Sequence, residues 1–391
     1  PPRSTPLYSS AASDVYKRQV LNLQKNQLLH LTLLKQQYNN VISPNIQKNL
    51  SKKFIYTVIA TIILIGGILA YNYYQKIFGK TITKETVLFV YTADSLIDVK
   101  NKISEFSKNP STFLLVAAKK NFSTPKSGRY ILKKGMSNND IVNMLRSGNQ
   151  TPAKVSFNNQ DTLEKLAGRI AEQLETDSIS IIKSFTDEKF LSVNKLSKKS
   201  ILQICIPNSY EFYWNVSAEN FRDKMLAEYH RFWNSKRLEK AKTLNMSIDQ
   251  VIALASIVQK ETAKTEERPI VAGLYLNRLK KGWPLQADPT IIYCIKEVKG
   301  QDYIVKRVLT ADLEINSPYN TYKKKGLPPT LIAMPDISSI DAVLNSTKHN
   351  YMYMCVNVDK LGYHAFAKTL VQHNRNAAKY HIWLNKQGVN R

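Results

Sequence analysis

A carboxylate closes a strongly apolar stretch at Glu261, in the segment MSIDQVIALASIVQKET. Ser247 with Gln250 three residues on is a capping-box pair, so a helix is expected to begin there. Val251, Ile252, Leu254, Ala255, Ile257 and Val258 cover too much of its circumference for a surface helix. Glu261 continues the Leu254–Ile257–Val258 row at helical spacing and so points the way the buried face points. A carboxyl aimed at apolar surroundings resists ionisation, and its pKa rises. That is the state a general acid needs near neutral pH. The same spacing also fits an ordinary surface carboxylate paired with Lys260 or Lys264.

Polar groups gather downstream. A helix over residues 269–281 opens with Pro269 and stops at Gly282, with Pro284 behind it. Asn277 shares its face with Ile270 and Leu274, where either a buried structural amide or a ligand contact is expected. Gln286, Asp288 and Thr290 follow in what reads as a loop. The turn-forming SPYNTY (Asn320, Tyr322) and GLPP segments offer aromatic and amide groups of the kind that stack on and hydrogen-bond sugars. GYHAF, with His364, and HNR at residues 373–375 are placed to close the same cleft.

Other chemistries lack their signatures. The histidines form no HExxH or Cys/His cluster with ligand spacing, so no metal is expected. There is no G-x-S-x-G, S-x-x-K, P-loop or G-x-G-x-x-G, so neither a nucleophilic serine nor a nucleotide cofactor is expected. Acid/base work by a carboxyl on a polymer remains.

The elements that must position these groups begin with an oddity. SSAASDVYKRQ is what a transposase-type sequencing adapter gives when translated, so residues 1–19 are expected to be an artefact. Residues 20–53 are polar and without acidic residues, as for a cytoplasmic segment. Residues 54–74, FIYTVIATIILIGGILAYNYY, run uncharged for about a bilayer's thickness, between Lys52–Lys53 and a tyrosine-rich end. The expectation is a single-pass anchor with its N-terminus in the cytoplasm. Short strands at 87–92 and 128–133, with helices at 95–107 and 137–146, make a small α+β module over residues 81–155. Helices at 158–175, 178–185 and 218–232, with an aromatic turn-like insert PNSYEFYW, fill residues 156–245. The core of interest then spans residues 246–385.

With 56 Lys and Arg against 30 Asp and Glu, the chain carries a formal charge of +26, which asks for a polyanionic partner. The positives are interspersed with acids and form no nucleic-acid motif, so nucleic acid is not the expected partner. Cys205, Cys294 and Cys355 are odd in number and far apart, and read as structural thiols.

Taken together, LASIVQKETAKTEERPIVAGLYLNRLKKGWPLQADPTIIY, SPYNTY, GLPP and HAFAKTLVQHNR resemble the YceG-like (MltG) endolytic murein transglycosylases. YILKKGMSNNDIVNMLRSGNQTP resembles that family's LysM-like module, and IPNSYEFYWN its aromatic segment. The resemblance covers residues 81–384, behind a single membrane segment as in the family. It implies an α+β architecture: one transmembrane helix, a LysM-like module, then a mainly helical catalytic domain. The family's catalytic glutamate precedes the Thr of an E-K-E-T segment, here Gln259–Lys260–Glu261–Thr262, and so falls on Glu261. Gln259 replaces the first Glu, and Thr330 stands where the family commonly has Gly.

The implied reaction cleaves MurNAc-β-1,4-GlcNAc bonds inside peptidoglycan strands without water, leaving 1,6-anhydro-MurNAc ends. Glu261 would serve as acid and then as base. Asn277, Gln286, Asp288, Thr290, Asn320, Tyr322 and His364 are the candidate sugar contacts. The implied partners are peptidoglycan strands and peptidoglycan synthases, with no cofactor. A second carboxyl facing Glu261 would instead fit a conventional hydrolase, which needs two.

Overall fold

The computed structural model describes residues 10–41 and 44–386. The chain divides into two units, Pro1–Lys80 and Thr81–Arg391. In the first, α1 spans Ser10–Val41 and α2 spans Pro44–Phe78. The apolar run at 54–74 lies inside α2, and Ser51–Phe78 is long and apolar enough to cross a membrane. Of the expected adapter-derived residues 1–19, the first nine lie outside the described residues and the rest lie in α1.

The second unit opens with β1 (Thr86–Val90), α3 (Leu96–Ile103), α4 (Ser111–Lys119), β2 (Gly128–Leu132) and α5 (Asn138–Ser147). β1 and β2 pair antiparallel, Val90 opposite Gly128. Ser95 and Ser137 each close a capping box with the aspartate three residues on, which fixes where α3 and α5 start. Gly148, with φ 73°, ends α5 in the left-handed conformation. α3 is shorter than expected, and the Phe113 stretch, which carried no assignment, is the helix α4.

β3 (Ala153–Phe157) crosses the expected module boundary at residue 155, and α6 (Leu163–Ala171), α7 (Ser178–Phe185) and α8 (Glu188–Val193) follow. α6 starts later than its periodicity suggests because Thr162 caps it. The aromatic insert is not a turn: Asn208–Phe212 forms β4, antiparallel to β3 with Ala153 opposite Phe212. Its alternating aromatics are stabilised by pairing with a strand some 50 residues away in sequence, which local turn signals cannot register. α9 (Ala218–Phe232) and α10 (Ser235–Thr243) deliver the chain to α11 (Ile248–Glu261).

α11 is the axis of the unit. All eight residues from Val251 to Val258 are buried, and the helix packs against α12 (Arg268–Lys280), α13 (Asp288–Lys299) and α14 (Ile337–Leu344). Each large apolar side chain buried here contributes about 1.5–3 kcal/mol. Two polar groups on α11 tie in the later chain. Ser256 Oγ accepts from the Ile332 amide at 3.1 Å. Gln259 Oε1 accepts from the Asp336 amide at 3.0 Å and Ser339 Oγ at 2.7 Å, pinning the start of α14. A hairpin of β5 (Tyr353–Val356) and β6 (His364–Ala367), then α15 (Leu370–Lys386), complete the unit. Thr330 Oγ1 lies 2.7 Å from the Tyr319 hydroxyl, so the departure from glycine there gains a partner within the loop cluster. Cys205 and Cys294 are buried and Cys355 half-buried, all as free thiols.

Candidate active site

Glu261 is the last residue of α11; Thr262 leaves the helix in an extended conformation, φ −138° and ψ 134°. The carboxylate therefore stands at the end of the helix, half-buried. α12 packs beside it and supplies Tyr275, fully buried, whose hydroxyl donates to Glu261 Oε2 at 3.1 Å. Burial pushes the Glu261 carboxyl above the usual range; the nearby His364 and the Tyr275 hydrogen bond pull the other way. The Asp288 carboxylate adds to the rise and Arg278 opposes it. Neither lysine beside Glu261 in sequence neutralises it. Lys260 binds Asp161 at 2.5 Å, and Lys264 stands 5.3 Å from the Tyr363 ring centre. The surface-pair alternative is thereby removed.

Arg278, three residues after Tyr275 on α12, is buried and donates from Nε to the Met352 carbonyl at 2.8 Å and from Nη1 to the Leu285 carbonyl. It fixes the start of β5 and the turn after α12, and places a fixed positive charge near Glu261. Asp288, exposed, opens α13, where the helix N-terminus favours a carboxylate. Tyr322 donates to its Oδ1 at 2.5 Å, and burial with that bond pushes the phenol above its usual range. Two carboxylates, each held by a tyrosine, thus share one electrostatic neighbourhood.

The third carboxyl is Glu267, buried just ahead of α12. Its Oε1 accepts the His364 amide at 2.7 Å, and its Oε2 lies 2.9 Å from His364 Nδ1. Glu266 beside it takes the Tyr363 hydroxyl. The β5–β6 hairpin is clamped in this way onto the turn that follows Glu261.

The candidates named from sequence divide sharply. Glu261, Asp288, Tyr322 and His364 come together. Gln286 lies alongside with an exposed side chain, and its backbone, at the left-handed φ of 51°, donates to the Thr321 carbonyl at 3.0 Å. Three others have their polar groups bonded within the protein. Asn277 sits two residues from Tyr275, hence on the other side of α12, and its Nδ2 donates to the His349 and Tyr351 carbonyls at 2.8 and 3.1 Å. Thr290 is fully buried, bonded to the Ala287 carbonyl at 2.7 Å and to Thr321 Oγ1 at 2.8 Å. Asn320, also fully buried, bonds the Leu313 and Ile315 carbonyls at 2.9 and 2.8 Å. The polar groups of these residues are engaged by the protein itself, Asn277 from α12 and the other two within the loop cluster. Asp288 and Thr290 are in the first turn of α13 rather than a loop, because Pro289 at the helix start is pre-set for it.

Glu267, Tyr275 and Arg278 went unnoticed in the sequence. Glu267 hides in a charged run, TEER, and Tyr275 reads as core; only the packing of α12 on α11 and of the hairpin on the turn brings them to Glu261.

Residues 89–379 match the YceG-like family. The chain is 30% identical over 295 residues to the endolytic murein transglycosylase of Bacillus subtilis, covering 71% of this chain and 79% of that one. It is 28% identical over 300 residues to the endolytic murein transglycosylase of Streptococcus pneumoniae, covering 70% of this chain and 54%, about half, of the relative. A crystal structure of a yceG-like protein from Listeria monocytogenes is similar with a TM-score of 0.50 at 26% identity, over 75% of this chain and 98% of that one. The match spans most of the chain and includes every residue gathered around Glu261: the chain belongs to the YceG-like family.

Proposed function

We propose that the chain is an endolytic murein transglycosylase that cleaves MurNAc-β-1,4-GlcNAc bonds within peptidoglycan strands. The observation that carries this reading is Glu261, a carboxyl with its pKa raised by burial, at the mouth of α11 and bonded by one tyrosine. Protonated, it donates to the glycosidic oxygen as the C1–O bond breaks. As carboxylate, it takes the proton of the C6 hydroxyl of the same MurNAc, whose oxygen attacks C1 and closes the 1,6-anhydro ring. The nucleophile is part of the substrate, so orientation replaces the positioning of a water. Tyr275 stabilises the carboxylate between the two transfers, and desolvation by the surrounding core restores the proton-bearing form.

Asp288 favours one competing reading. It is a second carboxylate near Glu261, and a hydrolase of the same polymer would use such a pair. The Tyr322 bond occupies one of its oxygens and suits Asp288 better to holding sugar hydroxyls. Product analysis separates the two. Sacculi digested with the full chain in detergent and analysed by mass spectrometry should yield 1,6-anhydro-MurNAc ends; reducing MurNAc ends would replace this reading with the hydrolase. No cleavage would leave a tethered glycan-binding protein.

The proposal extends to setting. Residues 54–74, within the apolar Ser51–Phe78 segment, anchor the chain with residues 20–53 cytoplasmic and the catalytic part outside the membrane. Residues 81–155, in which β1, α3, α4 and β2 run in the order β-α-α-β ahead of α5, serve as a LysM-like glycan-holding module before the connecting part 156–245 and the catalytic core 246–385. The net charge of +26 suits a polymer bearing free carboxylates beside an anionic membrane. Peptidoglycan synthases are the fitting partners, with strand elongation ended by the cut.

A further inference from the structure

An ionised carboxylate only accepts hydrogen bonds. Both oxygens of the buried Glu267 are taken up by one residue: Oε1 by the His364 amide at 2.7 Å, Oε2 by His364 Nδ1 at 2.9 Å. Nδ1 must therefore carry a hydrogen, and in the neutral ring Nε2 is a bare lone pair. That nitrogen makes no hydrogen bond to the protein among the described residues, and it is not sealed from solvent. Glu267 lies in the turn between Glu261 at the end of α11 and the start of α12, so the two bonds to it hold the ring beside that turn.

The surroundings leave Nε2 free for a ligand. Glu267 holds the ring from the turn before α12, and Glu261 ends α11 just ahead of that turn. Phe366 lies on its own strand with ring centres 6.2 Å apart. Neighbouring Tyr363 is engaged by Glu266, with Lys360 and Lys264 over its ring. The imidazole is thus a hydrogen-bond acceptor whose tautomer is held by a buried carboxylate and whose accepting atom is left unpaired beside the turn that follows Glu261.

An internal MurNAc residue offers few donors to such an atom. O1 and O4 are glycosidic and O3 carries the lactyl ether, which leaves the C6 hydroxyl and the 2-acetamido N–H. The single C6 hydroxyl proton is destined for Glu261. We propose that His364 Nε2 accepts the 2-acetamido N–H of the sugar whose bond is cleaved, and that Glu267 is the positioning residue that fixes its tautomer. The inference rests on the transglycosylase reading above. It explains why a carboxylate is buried ahead of α12 with no side-chain partner among the described residues other than this histidine. It also gives the site a means of registering the N-acetyl sugar so that C6 is aligned for attack.

Glu267→Gln tests it. An amide has one accepting oxygen and cannot satisfy both His364 donors, so the ring should move to the Nε2–H tautomer and present a donor to a donor. His364→Asn is the complementary variant: its amide can still donate to Glu267 while Nε2 is gone. Binding of isolated glycan strands should be measured on full-length Glu261→Gln protein in detergent, with and without each second substitution, so that cleavage does not intervene. Both double variants should bind about 10–100-fold more weakly, as for a polar group left facing no partner. The ¹⁵N ring shifts of selectively labelled histidine should report the Nδ1–H form in the parent and the Nε2–H form in Glu267→Gln. Unchanged binding in His364→Asn, or an unchanged tautomer with normal binding in Glu267→Gln, overturns the inference. A Glu261→Gln protein that still cleaves would instead overturn the transglycosylase reading.

Discussion

Replacing Glu261 with Gln removes one proton-transferring group and keeps nearly everything else. The amide oxygen can still accept from the Tyr275 hydroxyl, now 3.1 Å from Oε2, and the volume of the side chain is unchanged. A positioned general acid or base contributes about 10²–10⁴ to the rate of its step. Because one carboxyl serves both steps, the overall loss should lie toward the upper end, about 10⁴-fold or roughly 5 kcal/mol of barrier. Stability should move the opposite way. The folded protein holds the Glu261 proton more tightly than the unfolded chain does. A carboxyl raised in this way imposes no cost while it is protonated in both states. As pH rises past the ordinary glutamate range the unfolded chain loses its proton first, and stability falls until the folded carboxyl also ionises. Each pKa unit of that rise is worth about 1.4 kcal/mol. Glu261→Gln should therefore match the parent near pH 4 and melt higher at pH 8, by about 2–4 °C for each kcal/mol in a unit of this size. Anhydro-end yield from sacculi and thermal melts at both pH values are the assays. Activity within tenfold of the parent, or a variant that melts lower at pH 8 than at pH 4 relative to the parent, would refute the reasoning.

Three further outcomes follow from neighbouring contacts. Tyr275→Phe removes the donor that favours the Glu261 carboxylate, so the alkaline limb of the kcat–pH profile should shift upward while the fold persists; an unmoved limb would show that the bond does not tune Glu261. Arg268 is buried and holds the half-buried Asp336 at 2.7 and 2.9 Å, so Arg268→Ala should cost about 1.5–3 kcal/mol in denaturant melts; a loss below about 0.5 kcal/mol would contradict a bond to a charged group that matters to the fold. Burial works to raise the Asp336 carboxyl, but hydrogen bonds from Arg268, the Ser339 amide and Ser338 outweigh it and hold it low. That share of stability is present above the ordinary aspartate range and should fade as pH falls through the depressed value, a fading that Arg268→Ala lessens while the Ser338 and Ser339 bonds keep the remainder. Asn277→Ala leaves two part-buried carbonyls without their donor, and should cost about 1 kcal/mol in melts while per-molecule cleavage stays near that of the parent.

The sequence by itself determined the parts of this protein that local chemistry sets. Capping boxes at Ser95, Ser137 and Ser247 started their helices where the residue types required, and the all-round apolarity of α11 marked it as the buried axis. The direction of Glu261 followed from helical periodicity alone, and the uncharged run at 54–74 became part of a long apolar helix. The tertiary structure decided what depends on partners distant in the chain. PNSYEFYW became a strand only because Ala153–Phe157 lies beside it. Asn277, Thr290 and Asn320 carry the polar groups expected of sugar contacts, yet backbone carbonyls and a hydroxyl of the protein itself claim them. Conversely, Tyr275, Arg278 and Glu267 gave no local signal, and became part of the site through the packing of α12 and the hairpin around Glu261. A polar side chain's type shows that it must be hydrogen-bonded; whether protein or ligand supplies the partner is settled by what the fold has already placed within reach.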